Sequence, residues 1–331
     1  MICKFSDLWL ILQAERLFLY TDNDMNEKDV AVNSLKAWIL AARPKTLTSA
    51  AVPVLLGIAL ARGCMYEIKV LPAVLCMLFA FLMQIDANLV NDYFDFMRGN
   101  DDETRLGPKR ACAQGWVTCS AMRTGIGITT LLACACGLPL CWYGGWPMLL
   151  VGFSCVVFCF LYTTTFSYIG MGDVLVLVFF GLVPVSFTYY LVSPFPFDTF
   201  LPEVLVVAVA CGLVVDALLI VNNYRDIDND LRAGKVTLVV RLGKEASLRL
   251  YLFLGVTAVL LIFLVEVAAY YVCGISHYMA AVLSALYLIP HVLTWRKMKR
   301  IGAGRKLNDV LGDTARNILI FGLLTSLGFL L

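Results

Sequence analysis

The segment from Val204 to Val221 reads VLVVAVACGLVVDALLIV, and it decides the fold class. Its only charged residue is Asp216. The run is too long for a β-strand, and it lacks the alternation of apolar and polar residues that marks a strand of an outer-membrane barrel. An α-helix needs about 20 mostly apolar residues to cross the hydrocarbon core of a bilayer. The segment therefore predicts a transmembrane helix.

The composition extends this prediction to the whole chain. Of its 331 residues, 60% are hydrophobic and 15% are charged, and the mean hydropathy is +0.82. Soluble domains typically have about 45 to 50% apolar and about 25% charged residues, so a soluble protein is excluded. We expect spans near residues 47–66, 70–92, 118–140, 146–165, 173–192, 201–223, 248–271, 276–295 and 311–331. The predicted fold class is an all-α polytopic membrane protein, with about nine transmembrane helices bundled around a central polar cavity.

The start of the chain differs from the rest. Residues 1–33 are predicted to be an N-terminal extension, and residues 34–331 a single transmembrane domain. The stretch from Met1 to Tyr20 is mildly amphipathic, but charged residues interrupt it and no small-residue cleavage pattern follows, which argues against a signal peptide. A polar run opens at Met25, so Met25 is an alternative start of the native protein.

Basic residues concentrate in alternate loops. The loops after the second, sixth and eighth predicted spans carry Lys and Arg, whereas residues 137–146, 193–203 and 273–277 have none. Cytoplasmic loops carry an excess of Lys and Arg, so the basic loops are assigned to the cytoplasm. The assignment predicts a multi-pass protein with the N-terminus and the acidic motifs on the cytoplasmic side and the C-terminus outside. The membrane is expected to be a bacterial cytoplasmic (inner) membrane. Topology explains the net charge of +2, which therefore indicates no nucleic-acid partner.

Two acidic segments follow strongly apolar spans. The first reads NDYFD at 91–95, with Asp101 beyond it, and the second reads NNYRDIDND at 222–230. An ionised carboxylate at the centre of a membrane helix costs about 2.5 to 3.5 kcal/mol on insertion scales, so such residues usually face a polar cavity. We therefore expect both segments to face one cavity and to share a cation.

Helical spacing places the polar residues of each segment on one edge. In the second segment Asn222, Asp226 and Asp230 are four residues apart and fall on one stripe over two turns. Asn91 and Asp95 have the same spacing in the first segment. Mg²⁺ prefers oxygen ligands and is usually held by one or two carboxylates together with water and phosphate oxygens. Two facing edges of this kind would form a cradle for a diphosphate.

Cationic side chains accompany both acidic segments. They are Arg98, Arg105, Lys109 and Arg110 after the first segment, and Arg225, Arg232 and Lys235 within or after the second. Arg donates paired hydrogen bonds to phosphate, and Lys acts as a point charge. Each cation is equally well explained as a marker of a cytoplasmic loop, so both interpretations stay open.

Other cofactor chemistry finds little support in the sequence. The 12 cysteines are scattered, and no pair of C-x-x-C units occurs. With two histidines in the chain, a zinc or haem site has few ligands. No G-x-x-x-x-G-K-[ST] loop and no dinucleotide-binding fingerprint occurs either. The acidic segments are therefore the candidate centre of the chemistry.

The two acidic segments are similar to the signatures of a known family. The sequence at 91–95 resembles the N-D-x-x-D signature of the UbiA superfamily of membrane prenyltransferases, and Asp226 to Asp230 resembles its second, D-x-x-x-D signature. The resemblance extends over nearly the whole chain from about Lys36. The segments ARPKTL at 42–47, RLGPKR at 105–110 and RAGK at 232–235 resemble the 1,4-dihydroxy-2-naphthoate polyprenyltransferase branch.

The resemblance implies a reaction and a set of site residues. The reaction is the Mg²⁺-dependent transfer of a long-chain polyprenyl group from polyprenyl diphosphate to 1,4-dihydroxy-2-naphthoate, with loss of CO₂ and diphosphate, which gives a demethylmenaquinol for menaquinone biosynthesis. The implied catalytic residues are Asn91, Asp92, Asp95, Asp226 and Asp230. The implied metal ligands are Asn91, Asp95, Asp101, Asp226 and Asp230. The implied substrate-binding residues are Asn88, Arg43, Lys45, Arg98, Arg105, Lys109, Tyr162, Asn222, Arg225 and Lys235. The long hydrocarbon chain of the polyprenyl diphosphate implies that this substrate enters the site from the lipid bilayer.

Two alternatives remain at this point. Another aromatic acceptor, such as 4-hydroxybenzoate or homogentisate, is the main one. Gly99 stands where the 4-hydroxybenzoate and haem-O branches typically have a further Asp, which favours the naphthoate branch. A secondary transporter is the remote alternative, because it would favour inverted repeats with broken helices and the two acid-bearing units are only loosely similar.

Overall fold

A computed structural model describes residues 30–65, 67–99, 105–194, 202–273 and 278–331. Within these ranges the chain is helical and contains no β-strand. Most of the predicted extension at 1–33 and the candidate ligand Asp101 lie outside the described residues. The predicted all-α fold class is confirmed.

Thirteen α-helices make up the described part of the chain. They are α1 (Leu35–Ala42), α2 (Leu47–Met65), α3 (Val70–Met97), α4 (Cys119–Gly137), α5 (Leu140–Gly144), α6 (Pro147–Leu161), α7 (Gly172–Leu177), α8 (Val183–Val192), α9 (Pro202–Arg232), α10 (Leu238–Cys273), α11 (Tyr278–Leu286), α12 (Leu288–Ile301) and α13 (Leu307–Leu330). A 3₁₀ turn at Pro44–Thr46 joins α1 to α2, and π-helical segments at Tyr162–Phe166 and Val178–Leu182 follow α6 and α7.

Nine helical stretches in the described residues are long and apolar enough to cross a membrane, which confirms the predicted number. Several of them combine two elements. Helix α6 continues through the first π segment, and α7 and α8 are joined by the second into the stretch Gly172–Val192. The pairs α4 with α5 and α11 with α12 also form one stretch each. The protein is an integral membrane protein.

The two helices that carry the acidic segments are longer than hydropathy predicts. Helix α3 ends at Met97 rather than near residue 92, and α9 ends at Arg232 rather than near residue 223. Hydropathy detects the apolar part of a helix, and it falls where the polar residues begin. Both acidic segments nevertheless stay helical, so their side chains keep the regular spacing of a helix face.

Helix α9 ends in a Schellman motif that determines where the next residues lie. The backbone N–H of Gly234 donates to the Leu231 carbonyl at 3.2 Å, and that of Lys235 donates to the Asp230 carbonyl at 2.8 Å. Gly234 has a φ of +68°, which glycine adopts without steric penalty. The turn brings Lys235 Nζ to 3.6 Å from Asp230 Oδ1.

Helix α9 also occupies the centre of the bundle. It packs against α2, α7, α8, α10 and α13, and its residues Val207 and Cys211 are fully buried in the largest apolar cluster. Gly181, in the second π segment, permits a close approach, because a Cβ at this position would lie 2.5 Å from the Ala208 carbonyl oxygen of α9. Close packing of this kind holds the polar end of α9 in a fixed place relative to its neighbours.

Candidate active site

A polar cavity of about 320 Å³ opens where α3 and α9 end. Both acidic segments line it, together with the loop before α4, the first π segment and the turn after α9. The lining residues are Asn91, Asp95, Gly99, Arg105, Arg110, Tyr162, Thr163, Ser167, Tyr168, Leu219, Asn222, Asn223, Asp226, Asn229, Asp230, Arg232, Ala233 and Lys235. Carboxylates from two distant parts of the sequence therefore face the same space.

Helix α9 presents one polar edge to this cavity. Asn222, Asp226 and Asp230 all line it, and they do so from a single continuous helix. Their spacing of four residues stacks the three side chains over two turns. Local helix geometry is thus sufficient to bring these three groups to one side of the cavity.

Helix α3 contributes Asn91 and Asp95 to the lining of the same cavity. Asp92, although expected to be catalytic, does not line the cavity. Its buried carboxylate accepts hydrogen bonds from the backbone N–H groups of Ala111, at 2.8 Å, and Cys112, at 3.0 Å. Burial and the neighbouring Asp92 carboxylate raise the pKa of the Cys112 thiol, so this thiol is neutral at pH 7. Asp92 anchors the loop that returns toward α4.

This anchored loop delivers Arg110 to the site. Arg110 Nη2 lies 3.0 Å from Asp95 Oδ2, and the side chain lines the cavity. The sequence groups Arg110 with the other cations of this loop and provides no reason to prefer it to Lys109, which is exposed and does not line the cavity. Arg110, rather than Lys109, reaches the cavity because the hydrogen bonds from the Ala111 and Cys112 backbone to Asp92 fix the loop just after Arg110.

Arg225 does not line the cavity but holds two residues that do. Its Nε and Nη2 donate to the two carboxylate oxygens of Asp226 at 2.9 and 2.6 Å, and Nη2 also donates to Asn222 Oδ1 at 2.7 Å. Its Nη1 donates to Asn308 Oδ1 at 2.7 Å, and Asn308 Nδ2 donates to the Leu106 carbonyl at 2.9 Å. The paired bonds fix the plane of the Asp226 carboxylate. Helix α13 and the loop before α4 in turn hold the guanidinium.

Asp230 has one carboxylate oxygen available for a further ligand. Oδ1 faces Lys235, whereas Oδ2 is buried and has no hydrogen-bond partner among the described residues. A buried oxygen of this kind is rarely left unpaired in a folded protein. No group of three His, Cys, Asp or Glu residues within the described ranges could hold a metal ion by itself. The carboxylate and amide oxygens of the two facing edges fit a Mg²⁺ ion whose remaining ligands are phosphate oxygens and water.

Three predicted substrate-binding residues lie near the first span and outside the cavity lining. Asn88 donates from Nδ2 to the Ala42 carbonyl at 2.9 Å and to Thr46 Oγ1 at 2.8 Å. Arg43 stands at the junction of α1 and the 3₁₀ turn with a φ of +52°, and Lys45 lies within that turn. Asn88 thereby stabilises the bend by which the chain enters α2.

Arg98 connects the end of α3 to the first π segment. Its Nη1 and Nη2 donate to the carbonyls of Thr163 and Thr164 at 3.2 and 2.8 Å, and its Cζ lies 4.9 Å from the centre of the Tyr168 ring. Tyr168 lines the cavity, whereas Arg98 does not. Arg98 therefore lies outside the cavity lining and positions the ring of Tyr168, which lines the cavity.

The first π segment brings further residues to the cavity. Tyr162, the first residue of the segment, was predicted from the sequence, and the neighbouring residues Ser167 and Tyr168 were not. Short π-helical insertions occur frequently at functional sites, because they rotate the following side chains relative to a regular helix. Since apolar periodicity carries no signal for such an insertion, the sequence could not indicate which of these residues turn inward. Arg232, which donates to Asn229 Oδ1, also lines the cavity.

The sequence matches the UbiA prenyltransferase family over residues 50–307. The chain belongs to this family. The matched range includes every residue of the cavity lining. Membership confirms the predicted family and the predicted enzyme class, an aromatic polyprenyltransferase.

Named relatives and a solved structure agree with this assignment. The chain is 38% identical to 1,4-dihydroxy-2-naphthoate octaprenyltransferase of Escherichia coli (strain K12), over 66% of this chain and 72% of that protein. It is 34% identical to the protein of the same name from Mycobacterium tuberculosis (strain ATCC 25618 / H37Rv), over 88% and 95% of the two chains. Its fold is similar to that of a UbiA homolog from Archaeoglobus fulgidus bound to DMAPP and Mg²⁺, with a TM-score of 0.55 and 15% identity over 87% of this chain and 99% of that one. The likeness to the archaeal structure supports the fold alone.

Proposed function

We propose that this family member transfers a long-chain polyprenyl group from polyprenyl diphosphate to 1,4-dihydroxy-2-naphthoate, releases CO₂ and diphosphate, and forms a demethylmenaquinol. The observation that carries the proposal is the single cavity with two facing carboxylate edges and several cations, which is the donor set that a Mg²⁺-bound diphosphate needs. The similarity to relatives named for this naphthoate supports the acceptor.

The diphosphate end of the donor would bind in the cavity. Asn91 and Asp95 on α3, and Asp226 and Asp230 on α9, would hold Mg²⁺ against it, and Asp101 stays a prediction. Bound Mg²⁺ neutralises charge on the diphosphate and makes it a better leaving group. Mg²⁺ is also the ion bound, together with DMAPP, to the archaeal homolog that shares this fold.

The remaining lining residues have complementary roles in this proposal. Arg105, Arg110 and Lys235 line the cavity and would donate to diphosphate oxygens. The rings of Tyr162 and Tyr168 also line it, and their negative faces would stabilise a cationic allylic group. The cationic residues would thus bind the diphosphate leaving group, and the two tyrosine rings would stabilise the positive charge that develops on the allylic group.

The bond changes balance without an added oxidant or reductant. The allylic C–O bond breaks, and its electron pair leaves with the diphosphate. The ring carbon that bears the carboxylate attacks the allylic carbon. The bond from the ring to the carboxylate then breaks, its electron pair restores the aromatic ring, and CO₂ leaves.

The proposal includes a location. Because the loops beside the cavity carry the basic residues, the cavity would open to the cytoplasm and the C-terminus would lie outside. The polyprenyl chain would extend into the bilayer, since its hydrocarbon has no favourable place in water. The membrane would be the bacterial cytoplasmic membrane.

Transfer by the purified full-length protein in detergent tests the function. Radiolabelled polyprenyl diphosphate and Mg²⁺ are supplied with 1,4-dihydroxy-2-naphthoate, 4-hydroxybenzoate or homogentisate, and a carboxyl-labelled naphthoate reports CO₂. We expect prenylated product and labelled CO₂ with the naphthoate. Product with 4-hydroxybenzoate or homogentisate instead would overturn the acceptor, and no product with any ring would overturn the function.

A matched pair of variants on α9 tests the cradle. Asp226→Asn removes a charge from the cavity lining, and Asp228→Asn removes one from a side chain that is 79% exposed and outside it. We expect Asp226→Asn to lower kcat/KM by more than about a hundredfold, since even the hydrogen-bond partners of metal ligands contribute about ten- to a hundredfold. Asp228→Asn should stay within about twofold, as is usual for surface changes. Equal effects of the two variants would contradict the cradle.

A further inference from the structure

A small side pocket opens next to the main cavity. Its volume is about 10 Å³, which is roughly the room that one water molecule requires. The two spaces share Tyr162, Leu219 and Lys235 among their lining residues. Asp173 lines the side pocket and does not line the main cavity. The pocket is too small for an aromatic ring, but it has the size of a single hydroxyl group on a ring that lies in the cavity.

Asp173 supplies an unused hydrogen-bond acceptor in this pocket. Its Oδ1 is buried, and no described residue donates a hydrogen bond to it. Two other polar groups of the pocket have partners: Thr237 Oγ1 accepts from the Val240 N–H at 3.2 Å, and Lys235 Nζ lies 3.6 Å from Asp230 Oδ1. Leaving a buried acceptor unpaired is unfavourable, so the ligand of this pocket is expected to bring a donor.

The unpaired acceptors at the pocket select the kind of ligand. Asp216 is buried to more than nine-tenths, and its Oδ1 also has no hydrogen-bond partner among the described residues. Two buried carboxyl oxygens without donors are satisfied by a group that donates a hydrogen bond, and the ionised carboxylate of the acceptor ring has no hydrogen to donate. They favour a neutral donor, which on a hydroxynaphthoate is a ring hydroxyl.

We propose that Asp173 accepts a hydrogen bond from a ring hydroxyl of the aromatic acceptor and thereby determines specificity for a hydroxylated ring. The proposal rests on the function proposed above and deepens it, because it names the group of the acceptor that the side pocket recognises. A hydrogen bond to a charged acceptor contributes a factor of about ten to a hundred in affinity. Sites that satisfy a substrate hydroxyl discriminate strongly against analogues that lack it.

The test compares variants and acceptor analogues together. kcat/KM is measured for wild type, Asp173→Ala and Asp173→Asn with 1,4-dihydroxy-2-naphthoate and with its two analogues that lack one hydroxyl each. Taking the ratio of variant to wild type for each ring cancels the difference in ring reactivity. We expect Asp173→Ala to lose about ten- to a hundredfold with the dihydroxy ring and less than about threefold with the analogue that lacks the recognised hydroxyl. Asp173→Asn keeps a carbonyl acceptor and should recover part of the loss.

Controls separate this inference from folding and from the proposed function. Asp173 lies in the first turn of α7, and Asp309 lies in the first turn of α13. Asp309→Ala therefore removes an acidic residue from the same position in a helix without changing the side pocket, and it should leave kcat/KM unchanged. Equal losses with all three rings, or no loss with any, would overturn the role of Asp173 while wild-type transfer still supported the function. Failure of the wild type to use any naphthoate would overturn both.

Discussion

Replacing Asp92 by alanine tests whether this carboxylate anchors a loop or binds metal. Asp92 is 0% exposed, and it accepts hydrogen bonds from the backbone N–H groups of Ala111 and Cys112 at 2.8 and 3.0 Å. Alanine removes both acceptors and leaves two buried N–H groups unpaired, each at a cost of about 1 to 3 kcal/mol. We therefore expect Asp92→Ala to lower the free energy of unfolding by about 2 to 6 kcal/mol. Activity should fall with it, because the same loop carries Arg110 to Asp95.

The assay has two readouts. Unfolding in detergent is followed by tryptophan fluorescence, and prenyl transfer is measured over a range of Mg²⁺ concentrations. Asp92→Asn is the matched variant, since it keeps one carbonyl acceptor for one of the two N–H groups and should lose about half as much stability. Added Mg²⁺ should not restore the activity of Asp92→Ala, because the defect lies in the position of the loop.

The opposite pair of results would refute this reasoning. Suppose that Asp92→Ala unfolds like the wild type and that its activity recovers as the Mg²⁺ concentration is raised. Asp92 would then contribute to metal binding, and its hydrogen bonds to the loop would not determine stability or activity. Loss of stability without recovery by Mg²⁺ would leave the anchoring role as the explanation.

Two further changes probe the support of the site and the centre of the bundle. Arg225→Lys keeps the charge but not the paired bonds to Asp226, so kcat/KM in the radiolabelled transfer assay should fall by about ten- to a hundredfold; an unchanged value would show that these bonds do not orient the carboxylate. Gly181→Ala would place a Cβ 2.5 Å from a backbone oxygen of α9 and should lower the free energy of unfolding by about 1 to 3 kcal/mol. Gly152→Ala, whose Cβ would meet no atom within 4 Å, is the control and should not lower it; equal unfolding midpoints for the two variants would contradict the close packing.

The sequence by itself determined the number of spans and the two polar edges. A run such as Val204 to Val221 has one stable structure in lipid, because a helix satisfies all of its backbone hydrogen bonds within the segment. The stripe of Asn222, Asp226 and Asp230 follows from helix periodicity in the same way. Both properties depend on residues close together in the chain, so local reasoning reaches them. The ends of α3 and α9 were missed, because hydropathy reports an apolar environment and not whether the helix continues into a polar cavity.

The tertiary structure alone decided which of the neighbouring polar residues reach the cavity. Asp92 and Asp95 are three residues apart on one helix, yet the first contacts a returning loop and the second lines the site. Arg110 enters the cavity although Lys109 beside it does not, and the side pocket at Asp173 depends on helices that are distant in the sequence. Each of these outcomes requires a hydrogen-bond donor or a packing partner from another segment. Local periodicity carries no information about such partners, and only the folded chain brings them together.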